Sequence, residues 1–148
     1  MRKLTVLLLC ALCFAMQACG QGGGAEQRYV LKVHDRSFEL VLNNSPAARA
    51  FAETLPVEFA MQRWGDQYAG PSPVRLEAYS EAVMDMQIGH FAYWPQGKAL
   101  CILFGPTPMA PGPSPQLYAP GVVLGHIEGD LNQLRGLDAE VLVVVYAY

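Results

Sequence analysis

Arg63 and Trp64 stand side by side, and Tyr93, Trp94 and Phe104 follow in two later apolar runs. A guanidinium beside an indole, with three further rings, offers a surface suited to an apolar or proline-containing ligand. The alternative for Trp64, Trp94 and Phe104 is packing in the interior, and for Arg63 a strand-end salt bridge to Asp66. Other reactive types are sparse. His34, His90 and His126 have no metal-like spacing, and no carboxylate pair sits in a specific motif. A nucleophile elbow, a phosphate loop and a dinucleotide fingerprint are all missing, so neither a cofactor nor a metal is expected. Cys101 lies in the apolar run Ala99 to Phe104, where a buried, inert thiol fits better than a nucleophile.

The chain that must position these groups has 148 residues, with 10 Lys+Arg against 13 Asp+Glu and a net charge of -3. That length allows one ordinary domain. With 52% hydrophobic and 16% charged residues it can bury a core, which argues against disorder. The charge balance gives no basic stripe, so nucleic acid is excluded as a partner.

From Arg28 the pattern has period two. Tyr29, Leu31 and Val33 alternate with Val30, Lys32 and His34, Asp35-Arg36 make a turn, and Phe38, Leu40 and Leu42 alternate in return. This predicts a β-hairpin with an exposed His34 beside its turn. Asn44-Ser45-Pro46 supplies an N-cap and a first-turn proline for a helix whose apolar residues run from Ala47 to Leu55, where Pro56 stops it. Its Arg49 and Glu53, four apart, suit an exposed pair. Strands are expected at Val57 to Arg63, Val83 to Tyr93, Ala99 to Phe104, Val122 to Ile127 and Val141 to Tyr146, with a Pro/Gly break at residues 70–73. The last run is almost unbroken apolar, as in a strand buried on both sides. Leu131, Leu134 and Leu137 suggest a short helical turn after Gly129-Asp130, where turn chemistry accounts for Glu128 and Asp130. Many strands with few helices point to a mainly β domain, a closed barrel or a sandwich. Gly105 to Gly121 holds six of the eleven prolines. It therefore reads as a long loop, either functional or a stiff cover over one end of the fold.

The first residues have a separate meaning. Arg2 and Lys3 precede an apolar run from Leu4 to Ala18, too short to span a bilayer and fit for a signal peptide. Its end, Met16-Gln17-Ala18-Cys19-Gly20, resembles a bacterial lipobox, with small Ala18 before Cys19. The resemblance implies removal of residues 1–18 and lipidation of Cys19; the alternative is an ordinary secretory signal cut nearby. Residues 19–27 form a glycine-rich tether, its eight residues after Cys19 reaching about 16 Å as a random coil. Residues 28–148 are left as the folded domain. Cys101 is then the one free thiol of the mature chain, and no internal disulfide can form. Gly20 after the cysteine favours the outer membrane by the sorting pattern of such lipoproteins. The expected place is the bacterial cell envelope, facing the periplasm.

Four ordered blocks carry a further resemblance: Arg63-Trp64-Gly65-Asp66, then Tyr93 to Ile102, then Phe104-Gly105-Pro106-Thr107-Pro108, then Gly125 to Asp130. Together they resemble the cyclophilin-like family of small prokaryotic proteins of unknown function, over nearly all of Arg28 to Val145. The resemblance implies a closed antiparallel β-barrel of about eight strands with two short capping helices. Cyclophilins lower the barrier of about 18–20 kcal/mol to peptide-bond rotation. They use an arginine aimed at the prolyl nitrogen and an aromatic pocket for the ring. Their motif F-M-x-Q-G-G-D falls on Ala60 to Asp66, keeping Met61, Gly65 and Asp66 but placing Ala60 for the phenylalanine and Arg63 for the glutamine. The catalytic arginine falls on Leu55. A second motif, N-G-S-Q-F-F-I, falls on Gln96 to Ile102, with Ala99 for the glutamine and Cys101 for a phenylalanine, and the pocket's histidine falls near Gly121.

Two readings follow. The first is a membrane-tethered binding module without isomerase activity, monomeric, holding a peptide or small apolar ligand at Arg63, Trp64, Tyr93, Trp94 and Phe104. The second is a weak peptidyl-prolyl isomerase acting on envelope proteins. An arginine guanidinium pointing into an open groove on the outer face of the fold would favour the second.

Overall fold

A computed structural model describes residues 26–77, 81–110 and 112–148. The lipidation site Cys19, the signal segment 1–18 and most of the tether lie outside the described residues. Gln27, the last tether residue, already belongs to the first strand.

The chain begins with the expected hairpin, β1 (Gln27–Val33) and β2 (Arg36–Leu42). Its turn is His34-Asp35 rather than Asp35-Arg36, because Val33 pairs with Arg36 and His34 takes up a φ of +54°. Helix α1 (Pro46–Ala52) follows, its N-terminus closed by Ser45 Oγ, which accepts from Ala48 N at 3.1 Å. Arg49 and Glu53 make no ion pair across this helix; Arg49 Nη1 donates to the carbonyl of Asn44.

The remaining strands are β3 (Val57–Arg63), β4 (Gln67–Pro71), β5 (Val83–Asp85), β6 (His90–Trp94), β7 (Ala99–Leu103), β8 (Gln116–Glu128) and β9 (Glu140–Tyr146). A 3₁₀ helix at Leu131–Gly136 precedes β9, capped by Asp130 Oδ1 on Asn132 N. The order is β2-β1-β9-β3-β4-β7-β6-β8-β5, and β2 also pairs with β8. All pairings are antiparallel. Eight strands thus form a ring, and β5 adds to the outside of β8. Among the described residues the protein is mainly β, with two short helices.

Four details depart from the sequence expectation. Val83 to Tyr93 is two strands, because Gly89 turns the chain at a φ of +97°. β4 runs through Gly70 and Pro71, where a break was expected. A Cβ on Gly70 would lie 2.1 Å from the Ala60 carbonyl oxygen, so glycine is what lets β3 and β4 approach. β8 starts at Gln116, inside the stretch read as loop. It tolerates Pro120 because its pairing with β5 is irregular between Val83 opposite Gly121 and Asp85 opposite Gln116. Finally, the strand buried on both faces is β7, all five of whose residues are buried, and not β9, where Leu142 is 47% exposed.

That property of β7 divides the interior in two. Leu100 and Ile102 point into the ring and join Phe91, Tyr93, Leu124, Val141, Val143 and Val145 in the main core. Cys101 and Leu103 point outward into a smaller cluster with Met86, Ala92 and Leu117. The small cluster is roofed from outside by β5 and the start of β8, whose Leu117 and Met86 reach down onto the sheet. A cleft opens at its margin.

Candidate functional site

Residues of alternate parity on β3, β4 and β6 face outward beside the small cluster. Gln62, Gln67, Ala69 and Trp94 form one side of a cleft of about 480 Å³, and Leu117 and Tyr118 of β8 form another. Arg63 and Trp64, at the end of β3, close one edge. Trp94 lies over the β6–β7 turn, held down by a glycine: a Cβ on Gly97 would come within 2.3 Å of its ring. Tyr118 meets that indole edge-on, with ring centroids 6.3 Å apart. Trp64 and Tyr118 are 42% and 61% exposed. Large rings this open at a concavity present area for a partner to cover.

Arg63 lines the edge of the cleft with its charge already committed. Nε donates to the Gly65 carbonyl at 2.9 Å, Nη1 to the Arg135 carbonyl at 2.7 Å, and Nη2 lies 3.3 Å from Asp66 Oδ1. The guanidinium carbon also lies 5.4 Å from the centre of the Phe104 ring. Asp66 is shared with Arg135, which donates to its other oxygen. Gly105 makes room for this knot, since a Cβ there would fall 2.4 Å from Asp66 Oδ2. The expected Arg63–Asp66 pair is therefore present, within a clamp that ties the β3–β4 turn to the 3₁₀ helix. Arg63 thus lines the groove with three of its five N–H groups directed to protein acceptors.

The five residues singled out by sequence do not form one surface. Arg63, Trp64 and Trp94 line the cleft. Phe104 is buried under Arg63 and against Tyr68, with centroids 5.5 Å apart. Tyr93 faces the opposite way, into the main core, and its edge borders a separate groove beside Arg75 and Lys98. Gln67 was missed because it falls between the strand expected to end at Arg63 and the break expected at residues 70–73, and Leu117 and Tyr118 because their stretch was read as loop.

Two polar atoms of the cleft residues are buried without a hydrogen-bond partner: Gln67 Oε1 and Trp94 Nε1. Gln67 is only 4% exposed, and its Oε1 is the end left without a partner. Among the lining residues only Arg63 and Tyr118 carry titratable side chains, so the walls provide ring surface and amide-type polarity.

The other reactive groups lie elsewhere. Burial pushes the Cys101 thiol up to about 12. His90 is half-buried and pairs across strands with His126; burial first, and His126 second, lower its pKa, and its Nδ1 accepts from Gln87 N at 3.1 Å. Glu128 is held below the usual carboxylate range, foremost by its hydrogen bond from Arg28 at 3.0 Å and next by His126. No group of three or more potential metal ligands occurs among the described residues. No helix among them is long and apolar enough to cross a membrane.

A family model described as cyclophilin-like matches residues 27–146. Among solved structures, the solution structure of a hypothetical protein from Archaeoglobus fulgidus is similar, with a TM-score of 0.71 and 28% identity. The likeness covers 86% of this chain and 99% of that one. No curated protein matches the chain.

Proposed function

We propose that the chain, which belongs to the cyclophilin-like family, works as a binding module that holds a peptide or small apolar ligand in the cleft between Trp64, Trp94 and Tyr118. The observation that carries this reading is the concavity itself, with open aromatic walls over a packed floor. Catalysis of prolyl rotation needs a donor aimed at the prolyl nitrogen. Leu55, at the column of the cyclophilin arginine, is half-buried against the main core, and Arg63 directs three of its five N–H donors to Gly65, Arg135 and Asp66. Both facts favour binding over isomerisation. Tethering to the envelope through Cys19 belongs to the same proposal and rests on the Ala18-Cys19-Gly20 motif.

The reading is tested by titrating the purified chain with N-acetyl-phenylalanine methylamide while following tryptophan fluorescence. A saturable change is expected, weakened in Trp64→Ala and in Tyr118→Ala. A flat titration would remove the cleft as a binding site. Lipidation is tested separately by mass spectrometry of the mature N-terminus, where an unmodified Cys19 would refute it.

A further inference from the structure

Burial of a polar atom without a partner costs roughly 1–3 kcal/mol, so native proteins keep few such atoms. Two of them occur among the described residues, and both belong to residues lining the same cleft. Trp94 Nε1 is a donor only. The carboxamide of Gln67 offers a donor and an acceptor, and its Oε1 is the end buried without a partner. The one charged side chain of the cleft, Arg63, already directs three of its five N–H groups to protein acceptors.

Resting on the cleft as the binding site, we propose that Gln67 and Trp94 are its polar selectors, and that the ligand is a neutral compound with an apolar group and N–H-bearing amides. Both atoms are covered in this conformation, so the two side chains turn toward the ligand on binding: an amide N–H donates to Gln67 Oε1, and an amide carbonyl accepts from Trp94 Nε1. The apolar group lies against the rings of Trp64 and Tyr118. This chemistry differs from recognition of the amide that precedes proline, which carries no N–H and has nothing to give Gln67. Carboxylates are disfavoured too: a charge entering here would lose its water and meet only a guanidinium already paired with Asp66. The selection is built into the fold, since Gln67 opposes Leu103 on β7 and Trp94 opposes Ala99 at the other end of that strand.

The test compares two probes of one shape: N-acetyl-phenylalanine methylamide, and the diester in which both of its N–H groups are replaced by ester oxygens. Both keep the two carbonyls and the phenyl ring. Binding is followed through the indole N–H resonances of the chain's two tryptophans, assigned with Trp64→Phe. The diamide is expected to bind about ten-fold more tightly than the diester, as for one buried hydrogen bond lost with its partner left unsatisfied. It is also expected to shift the Trp94 indole N–H. In Gln67→Leu the two probes should bind within about two-fold of each other, while the unfolding midpoint is no lower than in the parent, because the substitution removes an unpartnered amide. Equal binding of the two probes by the parent would overturn the proposal and leave the cleft as a binding site. No movement of either indole by either probe would overturn both. A Gln67→Leu protein that still prefers the diamide ten-fold, or unfolds at a markedly lower midpoint, would show that Gln67 is not the selector.

Discussion

Arg63 shows how a residue type can be right for a chemistry and be spent on another. Its neighbour Trp64 is free, and the motif around it resembles an isomerase strand, yet three of its nitrogens are bound within the protein and its plane lies near Phe104. Arg63→Ala is expected to destabilise the fold by about 1–3 kcal/mol, measured by urea unfolding, since it strips a carboxylate and two carbonyls of a charged donor. An unchanged midpoint would mean that the clamp contributes nothing. Cys101 is the converse case, a reactive type silenced by its surroundings. With its thiol raised to about 12, it stays protonated where an exposed cysteine has ionised. A thiol reagent at pH 8 should leave Cys101 unlabelled in the folded protein and label it fully in denaturant, as read by peptide mass mapping. The unfolded thiol ionises at lower pH than the folded one, so the unfolded state binds fewer protons above about pH 9. This group's contribution to stability is therefore intact below that pH and declines as pH rises further. The inert thiol was legible from its apolar neighbours, whereas the fate of Arg63 depended on Arg135, 72 positions away.

At the scale of elements, alternation and capping signals were sufficient where one face meets water. The β1–β2 hairpin, the Ser45-Pro46 helix start and β3 all have such patterns. Apolar runs were ambiguous between β7 and β9, since sequence cannot tell which run has a second layer above it. The layer over β7 comes from β5, which was expected as the start of a longer strand, and from the first residues of β8, in a stretch that prolines had marked as loop. Half of the site was hidden for that reason: Gln67 lies on the strand containing Gly70-Pro71, and Tyr118 two residues before Pro120. The strands are nevertheless unequal in what they hold up. β9 pairs with both β1 and β3 and contributes Val141, Val143 and Val145 to the core. Burying each such side chain fully is worth about 1.5–3 kcal/mol, against a total stability of about 5–15 kcal/mol. Deleting residues 140–146 should abolish cooperative unfolding monitored by circular dichroism. A cooperative transition surviving that deletion would contradict the central place of β9.

For the whole molecule, the ring is a scaffold whose interior is filled, so function must lie on an outer face. The fold class could be read from strand number and ordered motifs, because a ring of β-strands imposes the same periodicities throughout its length. The cleft could be read only in part, because it is made where four distant segments converge: the end of β3, β4, the end of β6 and the start of β8. Retention of this scaffold with Leu55, Ala60 and Cys101 at the columns of a catalytic arginine and pocket aromatics is the basis for separating binding from isomerisation. The two are separated most directly by one nuclear magnetic resonance titration with the capped peptide N-acetyl-Ala-Phe-Pro-Phe methylamide. The same samples report the tryptophan indole resonances of the protein and the cis–trans exchange of the Phe-Pro bond. The expected result is saturable movement of the Trp64 and Trp94 indoles with exchange left at its uncatalysed pace of tens to hundreds of seconds. Exchange accelerated by catalytic amounts of the protein, or indoles that do not move at any peptide concentration, would contradict it.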